Sequence, residues 1–357
     1  MLTLDEENVD DLLLGACLLS SGSGYRIDRV SELIRRDIYR NGNLRIVECR
    51  EVEKKGGGVV FSPYLNQIEH VYDVNRCIEK MPDHIRSIYD EDIAGVAAHA
   101  LDTCDVAFAI HVAAILNVPL IDCDCTGRGL IDYIHNIYFI KNTSLNPVLL
   151  LSPDGECTYL HPMTSMLQLV RLCRRYLKTR APLVVLGSFS KAKNVRRNYL
   201  CGTLSKSMKA GRELRKISSE PVATLKSLLK IVRGYLLYRG IVEETSIENV
   251  DGSLTGIVKL RGVDSWENSR LIIYVREGTI IAVREHGRPV GMVPDIVTLL
   301  SEDYVPITYD NLHYRDKVHV IGIKAPDEWR TSKGLSILGP RYFGIDIDYI
   351  PIELLVN

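Results

Sequence analysis

Residues 120–129 read LIDCDCTGRG and combine an apolar run with a polar turn. The apolar half is typical of a buried strand, and the polar half follows where that strand ends. In open α/β sheets, ligands bind beyond the carboxyl ends of the strands. This stretch therefore predicts both an α/β fold for this part of the chain and the place of a site.

Apolar runs and helical patterns alternate on both sides of this stretch. VLLLS at 148–152 and PLVVLGSF at 182–189 have the composition of buried parallel strands. Residues 92–117 have a helical pattern, and two short strand-like runs at 44–49 and 59–62 are separated by a Lys-Lys-Gly-Gly-Gly turn. The alternation predicts an N-terminal α/β domain.

The pattern changes in the second half of the chain. Helical patterns cover 163–178 and 203–217, and from about residue 235 short β-branched segments are separated by Gly, Asp and Asn. REHGRP, around Gly287, has the composition of a tight connection. We therefore predict an α/β domain over 1–162 and a C-terminal domain over 163–357. The second domain is expected to be helical to about 234 and then β-rich, of α+β type.

Composition and charge exclude several classes of protein. The chain has 357 residues, with 45 acidic and 44 basic side chains and a formal net charge of -1 at pH 7. A hydrophobic fraction of 46% rules out a disordered chain. Near-zero net charge argues against a protein that mainly neutralises phosphates, so nucleic acid is not expected as a partner.

The N-terminus and the cysteines indicate the compartment. MLTLDEENVDD has no basic segment followed by an apolar one, so no signal peptide is expected. The longest apolar stretch, 106–121, contains His111, Asn117 and Pro119 and is too short and too polar to span a bilayer. We expect a cytoplasmic protein with no membrane association, in which the nine cysteines are mostly free thiols.

The side chains of the polar turn are the first candidates for catalysis. Strand alternation places Asp122 and Asp124 on one face, and Cys123 and Cys125 on the other. Either carboxylate could activate water as a general base, and Arg128 could hold an anionic group in a bidentate grip. The alternative for both aspartates is ordinary turn and cap duty.

The cysteine pair does not specify a metal. Structural zinc sites have wider Cys spacing and four ligands, so Cys-x-Cys favours buried, inert thiols. The nine histidines include no HExxH or comparable spacing. The sequence identifies no cofactor and leaves open a divalent metal such as zinc.

Two further segments are candidates for binding a small-molecule ligand. The loop between the first two helices carries Ser21, Gly22 and Gly24, whose hydroxyl and backbone amides could bind an anion or a carbonyl. Ser190 and Lys191 follow a predicted strand and could bind an anionic substrate or a cofactor phosphate. Helix capping and a solvated basic face are the corresponding structural alternatives.

Longer stretches of the chain carry a family pattern. They are LTLDEENVDDLLLGACLLSSGSG at 2–24, LNVPLIDCDCTGRG at 116–129, LCGTLSKSMKAGREL at 200–214 and the tail VHVIGIKAPDEWRTSKGLSILGPRYFGIDIDYIPIE at 318–353. Together they resemble the hydantoinase-associated family that is typified by S-methyl thiohydantoin desulfurase. The match covers nearly the whole chain, and the tail, with Trp329, Arg330 and Tyr349, is its most specific part.

The resemblance implies a fold and an activity. The implied fold is an N-terminal α/β domain joined to a C-terminal β-rich domain, and the typical activity is hydrolytic loss of methanethiol from an S-methylated thiohydantoin, which leaves hydantoin. Relatives are linked with hydantoinase and oxoprolinase systems, so small cyclic amides are the broader substrate class. On this basis Asp122 or Asp124 activates water and Arg128 orients the substrate.

The chain departs from the family pattern where a site would lie. The family's Glu-x-Gly-Gly-x-Asn stretch aligns with residues 100–105, where the glutamate and both glycines are absent and Asp105 replaces the asparagine. The family's Tyr-Pro-Met-Thr-Gly segment is replaced by residues 187–191. Two interpretations remain open: a divergent enzyme, or a non-catalytic binding or regulatory subunit of a hydantoinase- or oxoprolinase-type partner. The sequence also leaves a homo-oligomer open.

Overall fold

The computed structural model describes residues 2–22, 27–61, 75–129, 134–141, 148–151, 157–160, 168, 171, 185–216, 221–250, 253–276 and 278–356. The chain divides into two compact units that draw on interleaved segments. Unit 1 comprises Met1–Asp10, Ile27–Thr126 and Asn136–Ser205, and unit 2 comprises Asp11–Arg26, Gly127–His135 and Lys206–Asn357. The domain boundary at 162 stays a prediction.

Strands and helices alternate along the chain up to residue 216. The helices are α1 (Val9–Leu19), α2 (Ile27–Asn41), α3 (Cys49–Lys55), α4 (Asn75–Tyr89), α5 (Thr103–Leu116), α6 (Ile137–Lys141), α7 (Val195–Asn198) and α8 (Thr203–Lys216). The strands are β1 (Leu2–Leu4), β2 (Leu44–Val47), β3 (Gly58–Phe61), β4 (Ile93–Ala97), β5 (Leu120–Ile121), β6 (Cys123–Asp124), β7 (Val148–Leu151), β8 (Cys157–Leu160), β9 (Val185–Lys191) and β10 (Leu200–Cys201).

The main sheet of unit 1 has the strand order β1-β2-β5-β4-β3-β9-β7-β8. Strands β2, β5, β4 and β3 are parallel to one another, so their carboxyl ends meet at one edge of the sheet. Antiparallel strands extend the sheet on both sides. Strands β6 and β10 form a separate antiparallel pair, in which Cys201 lies opposite Cys123.

The structure of unit 1 corrects several expectations. Residues 92–117 are not one helix, because this stretch contains both β4 and α5. Both elements are deeply buried, so the spacing of polar residues does not distinguish the strand from the helix. Helix α3 occupies most of the stretch between the two predicted strands and was not expected; Gly56 and Gly57 of the predicted turn follow it with positive φ angles. Strands β7 and β9 are antiparallel to each other and to their other partners, where parallel strands were predicted. The helix expected at 163–178 lies outside the described residues, apart from Gln168 and Arg171.

Antiparallel β structure dominates unit 2. Its strands are β11 (Gly234–Val250), β12 (Ser253–Gly262), β13 (Arg270–Arg276), β14 (Gly278–Arg284), β15 (Pro289–Met292), β16 (Ile296–Ser301), β17 (Pro306–Ile307) and β18 (Lys317–Ile323). They form one sheet in the order β15-β14-β13-β12-β11-β18-β16-β17. Helices α9 (Pro221–Val232), α10 (Ser332–Leu338) and α11 (Ile352–Leu355) also belong to this unit, together with most of α1 and α8.

Alternating apolar side chains make one face of this sheet a continuous core. The core includes Tyr238, Leu260, Ile273, Val297 and Val320, all of them fully buried. Each such side chain contributes about 1.5–3 kcal/mol relative to an exposed one, so the sheet has a strong hydrophobic basis.

The fold class is as predicted, an α/β N-terminal domain followed by a β-rich C-terminal domain. The helix expected at 203–217 is confirmed as α8, and the connection around Gly287 is confirmed as the turn between β14 and β15. Within the described ranges, no helix is both long enough and apolar enough to cross a bilayer.

Candidate functional site

The carboxyl ends of β4 and β5 carry a cluster of polar side chains. The segment after β4, residues 98–102, leads into α5, and the segment after β5 is residues 122–126. Because β4 and β5 are parallel neighbours, the two segments leave the sheet at the same edge, where open α/β sheets bind ligands. Asp102 is the N-cap residue of α5, and its Oδ1 accepts a hydrogen bond from the Asp105 backbone amide at 2.8 Å.

Asp102, Asp105 and Asp124 form a group of buried carboxyl groups at this edge. Burial raises the pKa of Asp105 well above its usual range, and the charge of Asp102, a hydrogen bond to Asp102 and the charge of Asp124 raise it further. Protonation of Asp105 relieves the repulsion between like charges in a dry site. The raised pKa favours the protonated form of Asp105 beside two further buried carboxyl groups, and acid–base catalysis can use such an arrangement.

The two aspartates predicted to be catalytic also have local structural roles. Asp124 is fully buried, and its Oδ2 accepts hydrogen bonds from the backbone amide and the hydroxyl of Thr126 at 2.8 and 2.9 Å. Asp122 Oδ1 accepts the backbone amide of Ser205, in the first turn of α8, at 3.0 Å. Both side chains thus act as turn or helix caps, the alternative that the sequence left open. The activation of water by either one stays a prediction.

The two cysteines that alternate with these aspartates, Cys123 and Cys125, are deeply buried thiols. Burial raises the pKa of Cys123 and of Cys125 well above the usual range, and the charge of Asp124 adds to both shifts. A thiol with a raised pKa is a poor nucleophile and a poor metal ligand. Within the described part of the chain, no group of three or more His, Cys, Asp or Glu side chains could hold a metal ion.

Cys125 also belongs to a buried network that the sequence did not predict. Its Sγ lies 2.8 Å from Tyr138 Oη, and the Tyr138 ring is in edge-to-face contact with Tyr199, with 5.3 Å between ring centroids. Tyr199 is hydrogen-bonded to Tyr138 and to Ser190. The structure therefore joins Ser190, one of the predicted binding residues, to the turn that follows β5.

Lys191, the neighbour of Ser190, forms an ion pair at the surface. Its Nζ lies 2.8 Å from Glu91 Oε1 and 6.0 Å from the centre of the Tyr89 ring. The side chain is about half exposed. Binding of an anionic substrate by Lys191 would have to compete with this pair.

Ser21 and Gly22 are held by hydrogen bonds to other residues of unit 2. Ser21 Oγ donates to the Val297 carbonyl oxygen at 2.9 Å, and Gly22 O accepts the Tyr309 backbone amide at 3.1 Å. A Cβ on Gly22 would lie 2.5 Å from the Tyr309 ring, and the φ angle of 82° there favours glycine. The described contacts of both residues are structural. Gly24 lies outside the described residues.

Arg128 is a buried cation of unit 2. Its Nη1 donates to the Pro294 carbonyl oxygen at 2.7 Å. Burial lowers the pKa of Arg128 to about 10, and the charge of Asp295 opposes that shift. The guanidinium therefore remains charged near neutral pH, and its role in orienting a substrate stays a prediction.

Asp295 is the centre of a polar cluster in unit 2 that the sequence analysis missed. The carboxylate is fully buried, and its Oδ1 lies 2.6 Å from Arg330 Nη2 while its Oδ2 accepts the Tyr349 hydroxyl at 2.8 Å. The backbone amides of Ala325 and Ile352 donate to the same carboxylate at 2.8 and 2.9 Å. Arg330 and Tyr349 belong to the tail that carries the most specific resemblance, and that tail was the available signal.

Two domain models of one protein family match the chain, one after the other. The sequence profile described as "S-Me-THD-like, N-terminal domain" matches residues 7–162, and "S-Me-THD-like, C-terminal domain" matches residues 169–352. No curated protein matches the chain significantly. The fold is similar to the X-ray structure of a protein from Chromobacterium violaceum, with a TM-score of 0.76, 18% sequence identity and coverage of 99% of this chain and 100% of that one. At this identity the similarity shows the fold alone.

Proposed function

Because the chain belongs to the S-Me-THD-like family, we propose that it hydrolyses a small cyclic amide of the thiohydantoin or hydantoin type. In the proposed reaction, water attacks the ring carbon that carries an S-methyl group, methanethiol leaves, and the ring becomes hydantoin. One group must accept a proton from water, and another must protonate the leaving group. The observation that carries the proposal is the buried group of Asp102, Asp105 and Asp124.

Asp105 acts as the acid in this proposal. Its raised pKa favours the protonated carboxyl group, and a hydrogen bond to Asp102 supports that form before substrate binds. Asp124 acts as the base, because it lies near enough to Asp105 for their charges to interact. Thr126 donates two hydrogen bonds to one Asp124 oxygen and so fixes the orientation of the carboxylate.

The replacement of the family's asparagine by Asp105 should change the chemistry of the site and leave the fold intact. A protonated aspartic acid and an asparagine have nearly the same shape, and both can donate a hydrogen bond. Only the acid can transfer a proton. A scaffold that tolerates asparagine at this position therefore also tolerates a neutral aspartic acid, which adds a proton donor.

Release of methanethiol from an S-methylated thiohydantoin tests the proposal. Asp105→Asn and Asp124→Asn should each lower kcat/KM by about 100- to 10,000-fold, the usual worth of a general acid or base. Asp83→Asn, at an exposed position of α4, removes a carboxylate far from the chemistry and should keep full activity. Wild-type rates in both site variants would remove these residues from the mechanism.

The second candidate is a non-catalytic binding or regulatory subunit that partners a hydantoinase- or oxoprolinase-type enzyme. The caps formed by Asp122 and Asp124 support it, because both carboxylates already serve backbone amides. Thermal-shift measurements with hydantoins, thiohydantoins and 5-oxoproline separate the two candidates. Stabilisation without turnover supports the binding subunit, and a ligand at 100 times its Kd should add about 2.7 kcal/mol. The absence of any shift across the panel would count against the substrate class itself.

A further inference from the structure

Cys49, Cys123 and Cys201 lie together at the carboxyl edge of the parallel sheet in unit 1. Cys49 begins α3 directly after β2, and Cys201 lies opposite Cys123 in the pair of β6 and β10. A disulfide joins Cys49 to Cys201, whose Cα atoms are 6.3 Å apart and which are separated by 152 residues in sequence. The sequence predicted mostly free thiols, and this pairing was not expected. Among the cysteines whose side chains the structure describes, those outside the disulfide are Cys17, Cys77, Cys104, Cys123 and Cys125.

The two residues of the disulfide differ in exposure. Cys201 is exposed, whereas Cys49 is only 4% exposed. An external thiolate therefore reaches the Cys201 sulfur, and Cys49 is the leaving group. Cys123 is fully buried, and burial, together with the charges of Asp124 and Asp122, raises the pKa of its thiol well above the usual range. Few Cys123 thiolates are present, so the disulfide does not exchange readily onto Cys123.

The disulfide and Asp122 hold the same short segment. Cys49 Sγ lies 3.5 Å from the Asp122 carbonyl oxygen, which also accepts the Gly202 backbone amide at 2.8 Å. The Asp122 carboxylate accepts the Ser205 amide. Gly202 directly follows Cys201, so residues 201–205 are fixed by a covalent bond on one side and by hydrogen bonds on the other. On reduction, the Cys49 thiol gains a proton that it can donate to the same Asp122 carbonyl oxygen.

We propose that Cys49 and Cys201 form a reversible disulfide, which acts as a redox switch on residues 201–205. The thiolate of a small-molecule thiol such as glutathione attacks Cys201 Sγ; the S–S bond breaks, and Cys49 leaves as a thiolate that takes a proton from water. A second thiolate attacks the glutathione sulfur of the mixed disulfide, which releases Cys201 as a thiolate and forms glutathione disulfide. The reverse steps, with glutathione disulfide as the oxidant, restore the bond.

The switch changes how firmly the first turn of α8 is attached to the sheet. In the oxidised state, Cys201 is tied to the end of β2. In the reduced state, the pairing of β10 with β6 and the hydrogen bonds from Gly202 and Ser205 to Asp122 still hold this segment, but the covalent bond is lost. These amides should therefore open more often after reduction.

Equilibration of the full chain in glutathione buffers tests the switch. Free thiols are trapped with N-ethylmaleimide at each ratio of reduced to oxidised glutathione, and the modified cysteines are mapped by mass spectrometry. Cys49 and Cys201 should become alkylated together as the ratio of reduced to oxidised glutathione rises. The midpoint of this transition should be the same whether the protein starts reduced or oxidised. Amide hydrogen exchange at Gly202 and Ser205 should be about tenfold faster, or more, in the reduced protein.

Two variants complete the experiment. In Cys201→Ser, exchange at Gly202 and Ser205 should no longer depend on the glutathione ratio. Cys77→Ser, which removes a buried thiol on α4, should keep the midpoint of the wild type. A disulfide that persists at every ratio, two thiols that are alkylated at every ratio, or a glutathione adduct on Cys201 without the bond to Cys49 would each overturn the proposal. No measurement of hydrolysis enters, so the result is independent of the proposed activity.

Discussion

Gly211 of α8 lies directly against the backbone of Asp11 in α1: a Cβ on Gly211 would be 1.8 Å from the Asp11 carbonyl oxygen. The reciprocal contact, of Gly15 in α1 with the backbone of α8, is equally close: a Cβ on Gly15 would be 1.8 Å from the Ser207 carbonyl oxygen. Ser207 Oγ also donates to the Leu12 carbonyl oxygen at 3.1 Å. The two helices therefore touch through their backbones, with no room for a side chain between them.

Replacement of Gly211 by alanine should destabilise unit 2. The added methyl group forces the helices apart, and overpacking of this kind costs about 1–3 kcal/mol. The free energy of unfolding, measured by urea denaturation, should fall by that amount. Lys209→Ala on the exposed side of the same helix is the control and should change stability by less than about 0.5 kcal/mol. Equal stability of Gly211→Ala and the wild type would contradict the backbone contact.

Loss of the Asp295 carboxylate should be far more damaging than loss of a surface charge. Asp295→Ala leaves Arg330 without its buried partner and removes the acceptor of two backbone amides, so we expect a loss of about 3–5 kcal/mol. Asp346→Ala breaks an exposed pair with Arg341 and should leave the free energy of unfolding nearly unchanged. Urea denaturation of the two variants measures the difference, and similar losses would refute the role of Asp295.

His99 should make the protein sensitive to mild acid. Burial lowers the pKa of His99 from 6.5 to about 4, so between these values the unfolded chain binds a proton that the folded chain does not. The contribution of a neutral His99 is therefore complete above pH 6.5 and is lost as the pH falls toward 4, by about 3 kcal/mol at most. His99→Gln should lose less unfolding free energy than the wild type over this window. His286→Gln, at an exposed position, should follow the wild type.

Asp105→Asn should lower the activity of the protein without lowering its stability. Because the pKa of Asp105 is raised in the folded chain, the folded chain keeps a proton that the unfolded chain loses, and stability falls as the pH rises above the ordinary carboxyl range. Asparagine has the same shape and no proton to lose, so the variant should be at least as stable as the wild type at pH 7, with lower turnover. A clear loss of stability at pH 7 would show that Asp105 is ionised in the folded protein.

The elements that the sequence predicted have local signals. Helix α8 shows a helical period, and the turn before β15 contains Gly287, whose φ angle is 80°. Strand β4 and helix α5 were merged because both are apolar on nearly every side. The boundary between them is marked by Asp102, the N-cap of α5, which the periodicity of apolar residues does not reveal.

The candidate site, too, could be predicted only as far as local sequence patterns reach. The turn after β5 was predictable because polar residues follow an apolar run. The association of Asp105 with Asp124 was not, because it depends on β4 and β5 being neighbours in the sheet, and no local pattern specifies that pairing. The link between Cys49 and Cys201 spans 152 residues and was hidden for the same reason.

The interleaving of the two units has a consequence for biosynthesis. Unit 2 needs residues 11–26, which leave the ribosome before residues 27–205, and residues 206–357, which leave it after them. At about 5–20 residues per second, translation from the first of these segments to the start of the last takes roughly 10–40 s. During this time Leu12 and Leu13, which are fully buried in the finished protein, lack the rest of unit 2. The apolar face of α1 should therefore stay without its partners in the nascent chain until the strands of unit 2 have been synthesised.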